Sequence, residues 1–399
     1  MYKLYCRVHQ AIFRGAMYLL PWRKPKLLEG ENSLLKLPKL IKEKGIDSVL
    51  IVTDSGITSL GLMDGLLKGL ASESIAVAVY DKTVPNPTID NIEEALQVYK
   101  DNNCQGIIAF GGGSPMDCAK GVGARVARPK KSIPQMKGQF KVMRKLPPLF
   151  AVPTTAGTGS EATVAAVVTD SRLQAKYPVN DISLIPHYAV LDPLLTVKLP
   201  PHLTATTGMD ALTHAVEAYI GRSNTRGTKK QAREAVKLIF ANIYEAFSHG
   251  ENISARAHMQ KASFLAGLAF TRAYVGYVHA IAHTLGGFYS IPHGLANAVI
   301  LPYVLEYFGK SVHKPLAELA DLVGITGPAD TREQKSEKFI AALKELNNSM
   351  NIPEKLRGIK EEDIPLLAER ALAEANPLYP VPKILGKKDM YTLYNLIKE

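Results

Sequence analysis

Short apolar runs alternate with helix-patterned segments from about residue 45 to 200. The runs are 48–53 (SVLIVT), 75–80 (IAVAVY), 106–110 (GIIAF) and 149–152 (LFAV). They are short, apolar and rich in β-branched residues, which predicts strands. Within 91–101, Ile92, Ala95, Leu96 and Tyr99 recur at helical spacing. Strand and helix alternating in this way predict βαβ units on a mostly parallel, Rossmann-like sheet.

The pattern changes after Pro200 and Pro201. Amphipathic stretches at 208–220, 231–247, 256–285 and 334–347 succeed one another with no convincing strand between them, predicting an all-α second half. The expected domains are 1–200, an α/β dinucleotide-binding domain with an extension over 1–26, and 201–399, a helical metal-binding domain. A chain of 399 residues is long enough for two cores. The extension, MYKLYCRVHQAIFRGAMYLLPW, is basic and partly apolar, and Arg7 and Arg14 interrupt it. It is expected to pack against the fold, with a peripheral membrane contact or a transit peptide as the other readings.

Composition and charge narrow the class. The chain is 46% hydrophobic and 21% charged, as in ordinary globular proteins, and no run approaches the roughly 18 apolar residues of a membrane span. Cys6, Cys104 and Cys118 are odd in number and form no CxxC pair, which speaks against a disulfide framework or a thiolate zinc site and fits a reducing compartment. A soluble, cytoplasmic protein without stable membrane insertion is expected. The net charge of +11 is local: residues 1–30 carry +5 and 120–145 carry +9, leaving about −3 for the rest. A solvated basic loop near an anionic cofactor is the expected reading of 120–145, ahead of a surface for nucleic acid or a membrane.

Two loops leave predicted strands with the means to hold a nucleotide. In FGGGSPMD (110–117), three glycines let the backbone approach a ligand, and a helix N-terminus offers free N–H groups to a diphosphate. Ser114 suits its N-cap, Pro115 its first turn and Asp117 a capping-box position. PTTAGTGSE (153–161) adds four hydroxyls. Neither is a GxGxxG fingerprint, and no acid follows the first at the usual spacing of about 20 residues. Asp54, at the end of 49–54, is the nearest carboxylate placed for ribose hydroxyls, unless it only caps the turn before Gly56.

The second half carries a metal-binding pattern. Asp210 and His214 lie at i and i+4, as do His279 and His283, so each pair shares one helix face. A straight helix would place His293 roughly 21 Å beyond His279, but Gly286, Gly287 and Pro292 are expected to break it and fold His293 back. One carboxylate with imidazoles suits a divalent first-row metal such as Fe(II) or Zn(II).

Together GGGSPMDCAK, PTTAGTGSE, DALTHAVEAY and HAIAHTLGGFYSIPHG resemble the iron-containing alcohol dehydrogenase family, from about residue 27 to the last helices. The resemblance implies hydride transfer between NAD(H) and a small primary alcohol or aldehyde, by a homodimer. It implies Asp210, His214, His279 and His293 as metal ligands, and His283 between metal, substrate and nicotinamide. It also implies Gly112, Gly113, Ser114, Thr154, Thr155, Thr158, Thr163 and Lys176 as dinucleotide contacts. Rival readings are a zinc polyol dehydrogenase of the glycerol dehydrogenase type, a lyase like dehydroquinate synthase, and nucleic-acid binding through 120–145.

Overall fold

All four apolar runs form strands, and they stand in one sheet. A computed structural model describes residues 1–172 and 175–399 of the protein. The strands are β1 (Lys26–Glu29), β2 (Ser48–Val52), β3 (Ala76–Tyr80), β4 (Gly106–Gly111), β5 (Gly138–Gln139), β6 (Leu149–Pro153), β7 (Ala165–Asp170), β8 (Ala175–Asn180) and β9 (Tyr188–Leu191). Six of them form a sheet ordered β1-β9-β6-β4-β2-β3, parallel at every pairing. Successive side chains enter opposite cores: Leu50, Val52, Ile107, Ala109, Leu149 and Ala151 on one face, Val49, Ile51, Ile108, Phe110, Phe150 and Val152 on the other. Two-sided burial explains why the runs lack a polar period.

The sequence reading did not name β1, β9 or the separate sheet β5-β8-β7. Strands β1 and β9 span four residues each, too few for a period to stand out. The 91–101 helix extends to Ile89–Asp101, and Thr88 and Asn91 cap its start reciprocally.

The chain divides into two compact units, Pro21–Leu199 and a second made of Met1–Leu20 with Pro200–Glu399. The helix Tyr2–Tyr18 thus belongs to the helical unit, although the pattern grouped it with the α/β half. Long-range hydrogen bonds put it there. Arg7 donates to the carbonyls of Val381 (2.7 Å) and Pro382 (2.8 Å), and Gln10 donates to those of Pro377 and Tyr379.

The stretch 256–285 is not one helix. Ile253–Ala273 ends at Tyr274, whose φ is +65°, and Gly276 N-caps Tyr277–Tyr289. Gly286 and Gly287 lie inside that helix and do not break it. The break falls at Ser290, in the left-handed region, and Pro292, which N-caps His293–Phe308. Among the described residues no helix is long and apolar enough to cross a membrane.

Candidate active site

Three helices of the second unit carry the candidate ligands. Asp210 and His214 lie on Pro201–Ile220, His279 and His283 on Tyr277–Tyr289, and His293 opens His293–Phe308. Ligand atoms of Asp210, His279 and His293 fall within 4.8 Å of one another. Asp210 Oδ1 stands 3.7 Å from His279 Nε2 and 3.6 Å from His293 Nε2. Those separations are too long for hydrogen bonds but suit atoms about 2.1 Å from a shared ion.

The tautomer of His279 follows from its other side. Its Nδ1 lies 2.7 Å from Glu217 Oε2, and the same carboxylate accepts the N–H groups of Gly276 (2.7 Å) and Val278 (2.9 Å). An ionised carboxylate only accepts, so Nδ1 carries the proton and Nε2 presents a lone pair. That Nε2 is buried and has no hydrogen-bond partner, which is costly unless something binds there. A side chain at 276 would put Cβ 2.6 Å from Glu217 Oε1, so only glycine admits the carboxylate this close.

Asn297, fully buried one turn beyond His293, donates its amide to Asp210 Oδ1 (2.6 Å) and lies 3.1 Å from His293 Nε2. His214 is outside the close trio. Its Nδ1 is 3.9 Å from Asp210 Oδ1, and its ring stacks on Phe270 and on His279, at centroid distances of 4.1 and 4.3 Å. Burial opposes ionisation of Asp210, yet His214, His293 and His279 outweigh it and hold the carboxyl well below its usual range. Burial likewise opposes charge on His279, but Asp210 and Glu217 raise it to about 9, so a cation that takes the Nε2 lone pair displaces a proton there. The pocket attracts positive charge.

His283 is not one of the close trio. Its Nδ1 lies 2.6 Å from Glu374 Oε1, which also accepts the Tyr379 hydroxyl at 2.8 Å. Its ring stacks on His293 at 5.1 Å. Burial would raise the Glu374 carboxyl, but His283 and Tyr379 hold it below its usual value.

In the first unit, the two loops exit adjacent strands β4 and β6 and pack together. Thr154 N donates to Gly111 O at 3.0 Å. A Cβ on Gly113 would come within 2.9 Å of Thr158 Cγ2, and one on Gly112 within 3.5 Å of Thr155. Gly111 has φ +143°, a conformation that favours glycine. Ser114 is not the N-cap: Gly113–Ala127 begins one residue earlier, with Gly112 as its cap. Ser114 Oγ instead accepts from Asn86 N (3.2 Å), and Lys176 Nζ donates to Asn86 Oδ1 (2.7 Å). Asp54 N-caps Ser55–Ser59 through Oδ1, and its Oδ2 lies 3.5 Å from where a Gly111 Cβ would stand.

Nor does Asp117 cap its helix. It accepts Ser160 Oγ (2.9 Å) and Val167 N (3.0 Å). Lys120, fully buried one turn on, donates to Ser160 Oγ, to Thr163 Oγ1 and O, and to Ala165 O, all within 3.1 Å. Thr163, a residue 2% exposed, therefore has its hydroxyl engaged by this lysine. Burial pulls Lys120 down to about 8 against the opposing charges of Asp117 and Glu161. The basic stretch 120–145 is not simply a solvated loop. Besides Lys120, Arg125 pairs with Glu93 at 2.6 Å and Arg128 donates to Val142 O.

Comparison with known proteins gives the family. The family pattern of iron-containing alcohol dehydrogenase matches residues 24–193, and that of the Fe-containing alcohol dehydrogenase family, C-terminal, matches 204–397. A 1,3-propanediol dehydrogenase of Klebsiella pneumoniae is 41% identical over 353 residues, 87% of this chain and 90% of that protein. The NAD-dependent methanol dehydrogenase of Bacillus methanolicus is 37% identical over 352 residues, 88% and 92% of the two chains. A crystal structure of a 1,3-propanediol oxidoreductase superposes with a TM-score of 0.91 at 37% identity, over 94% of this chain and 99% of that one. The chain belongs to the iron-containing alcohol dehydrogenase family.

For this alcohol dehydrogenase, the sequence reading missed four residues that order the sites: Glu217, Asn297, Glu374 and Lys120. Glu217 follows Asp210 at i+7 and His214 at i+3, Asn297 follows His293 at i+4, and Lys120 follows Asp117 at i+3. Helical spacing therefore held a signal for those three. Glu374 lies 91 residues from His283 and had none.

Proposed function

We propose that this enzyme exchanges hydride between NAD(H) and a small primary alcohol or aldehyde, with Fe(II) held by Asp210, His214, His279 and His293. The observation that carries the reading is the buried, partnerless Nε2 of His279, aimed at Asp210 with its tautomer set by Glu217. One carboxylate oxygen and imidazole nitrogens are donors that Fe(II) and Zn(II) both accept. The bound cation supplies Lewis acidity, and NAD the hydride acceptor.

The chain's own part is positioning and proton transfer. Glu374 holds the Nδ1 side of His283, leaving Nε2 to hold or pass a proton at the substrate hydroxyl. Asn297 keeps the Asp210 carboxylate and the His293 ring in register. In the first unit, the glycine edge of 111–113, Ser114, Thr154, Thr155 and Thr158 take the diphosphate, with Lys176 alongside and Thr163 behind them anchoring Lys120, and Asp54 takes the adenosine ribose. A cytoplasmic homodimer completes the reading.

The test is metal analysis of protein purified without added metal or oxygen, followed by a panel of alcohols and aldehydes with NAD(H). His293→Ala should lose metal and turnover together, whereas His283→Ala should keep its metal and lose turnover. Full activity with stoichiometric metal in His293→Ala would overturn the ligand assignment.

A further inference from the structure

The helix Tyr2–Tyr18 packs only part of its circumference. Cys6, Gln10 and Met17 are buried, on the side that Arg7 and Gln10 tie to 377–382. Another side is left to solvent. Met1, Tyr5, Val8, Ile12 and Leu19 recur at spacings of three, four and seven, with Leu4 beside them, which aligns them along one stripe. They are half or more exposed: Tyr5 56%, Val8 50%, Ile12 70%, Leu4 69% and Leu19 86%. Among the described residues, ten large hydrophobic side chains are at least half exposed, and eight of them lie within 1–19. Such concentration on a single helix marks an interaction surface, because scattered exposure would distribute them over the molecule.

The chemistry beside the stripe selects the partner. Ala11 and Gly15, which border it, also line a groove of about 430 Å³ with Arg7, Arg14, Tyr18, Arg222 and Ser223. Arg7 is occupied by backbone carbonyls. Arg14 donates to the Arg222 carbonyl at 3.3 Å, and neither it nor Arg222 forms a carboxylate ion pair among the described residues. No acid occurs before Glu29, and Lys3 adds a further cation.

The geometry points to a peripheral docking surface for an anionic phospholipid bilayer. The apolar stripe enters the acyl boundary, and Arg14 and Arg222 meet lipid phosphates from the adjoining groove. Tyr2, Tyr5 and Tyr18 suit the headgroup level, where amphipathic rings concentrate. A second copy of this chain fits less well, because a two-fold contact sets each patch against itself and brings like cations together.

Vesicle flotation of the full-length, metal-loaded enzyme tests this. Binding is expected to vesicles of phosphatidylcholine with about 30 mol % phosphatidylglycerol and not to phosphatidylcholine alone, and to fall as salt rises from about 0.1 to 1 M. Arg14→Ala should weaken it about five-fold and Ile12→Asp about ten-fold or more. Both variants should keep wild-type alcohol dehydrogenase activity, which shows that they fold. The proposal is overturned if anionic vesicles do not bind the enzyme, or if Ile12→Asp binds them as wild type does. It is also overturned if Ile12→Asp instead dissociates an oligomer in size-exclusion chromatography, which would make the stripe a self-interface.

Discussion

Glu217 is not one of the close trio, yet by holding the Nδ1 of His279 it decides which nitrogen faces Asp210. A glutamine there retains the shape but offers an NH2 group that can donate to Nδ1, which would move the proton to Nε2 and block the lone pair. Glu217→Gln is expected to weaken metal affinity about 10- to 100-fold while leaving the circular dichroism spectrum intact. Competitive metal titration checks it, and unchanged affinity would remove Glu217 from the account. Asp54 divides its carboxylate between a helix cap and the space beside Gly111. Asp54→Asn keeps an oxygen for the Ile57 N–H and deletes the charge. If the carboxylate repels a 2′-phosphate, kcat/KM should shift toward NADP by about ten-fold or more. A wild-type preference for NADP, or no shift in the variant, would sink the ribose assignment.

At the scale of elements, Gly113–Ala127 is fastened to the loop after β6 through buried charge. Lys120 and Asp117 meet Ser160 within hydrogen-bond distance, and Glu161 is the next residue. Burial, resisted by its own backbone N–H and by Lys120, pushes the Glu161 carboxyl from 4.5 up to about 7. The folded state then binds this proton more tightly than the unfolded chain, so the group's stabilising contribution is complete below pH 4.5 and lost as pH rises through about 7. Denaturant titrations should show wild type losing up to about 3 kcal/mol over that window relative to Glu161→Gln. Parallel pH profiles for the two proteins would refute the role given to Glu161. The strands around this loop were legible because two-sided burial leaves a continuous apolar run. The capping of Gly113–Ala127 was misread because Ser114 and Asp117 are good caps in isolation, and tertiary partners claimed both side chains.

At the scale of the molecule, the proposed nucleotide loops belong to Pro21–Leu199 and the proposed metal ligands to the unit built from Met1–Leu20 and Pro200–Glu399. Chelation should therefore lower Tm, since a bound ion at about 1,000 times its Kd contributes about 4 kcal/mol, and should leave NADH binding measurable by fluorescence. Loss of NADH binding in step with the metal would contradict that division. By itself the sequence determined the parallel sheet, the helical half, the two glycine- and hydroxyl-rich loops, and the pairs Asp210 with His214 and His279 with His283. Each is written in local periodicity, which tells a chain what shares a face. Only the tertiary structure decided which faces meet: His293 turned back at Ser290 toward Asp210, Glu374 brought to His283, Lys120 set under Thr163, and the Tyr2–Tyr18 helix joined to the helical unit. A period of two or 3.6 residues fixes a side chain's direction from its own element and says nothing of the element opposite, which is chosen by packing and by the need to satisfy buried polar groups.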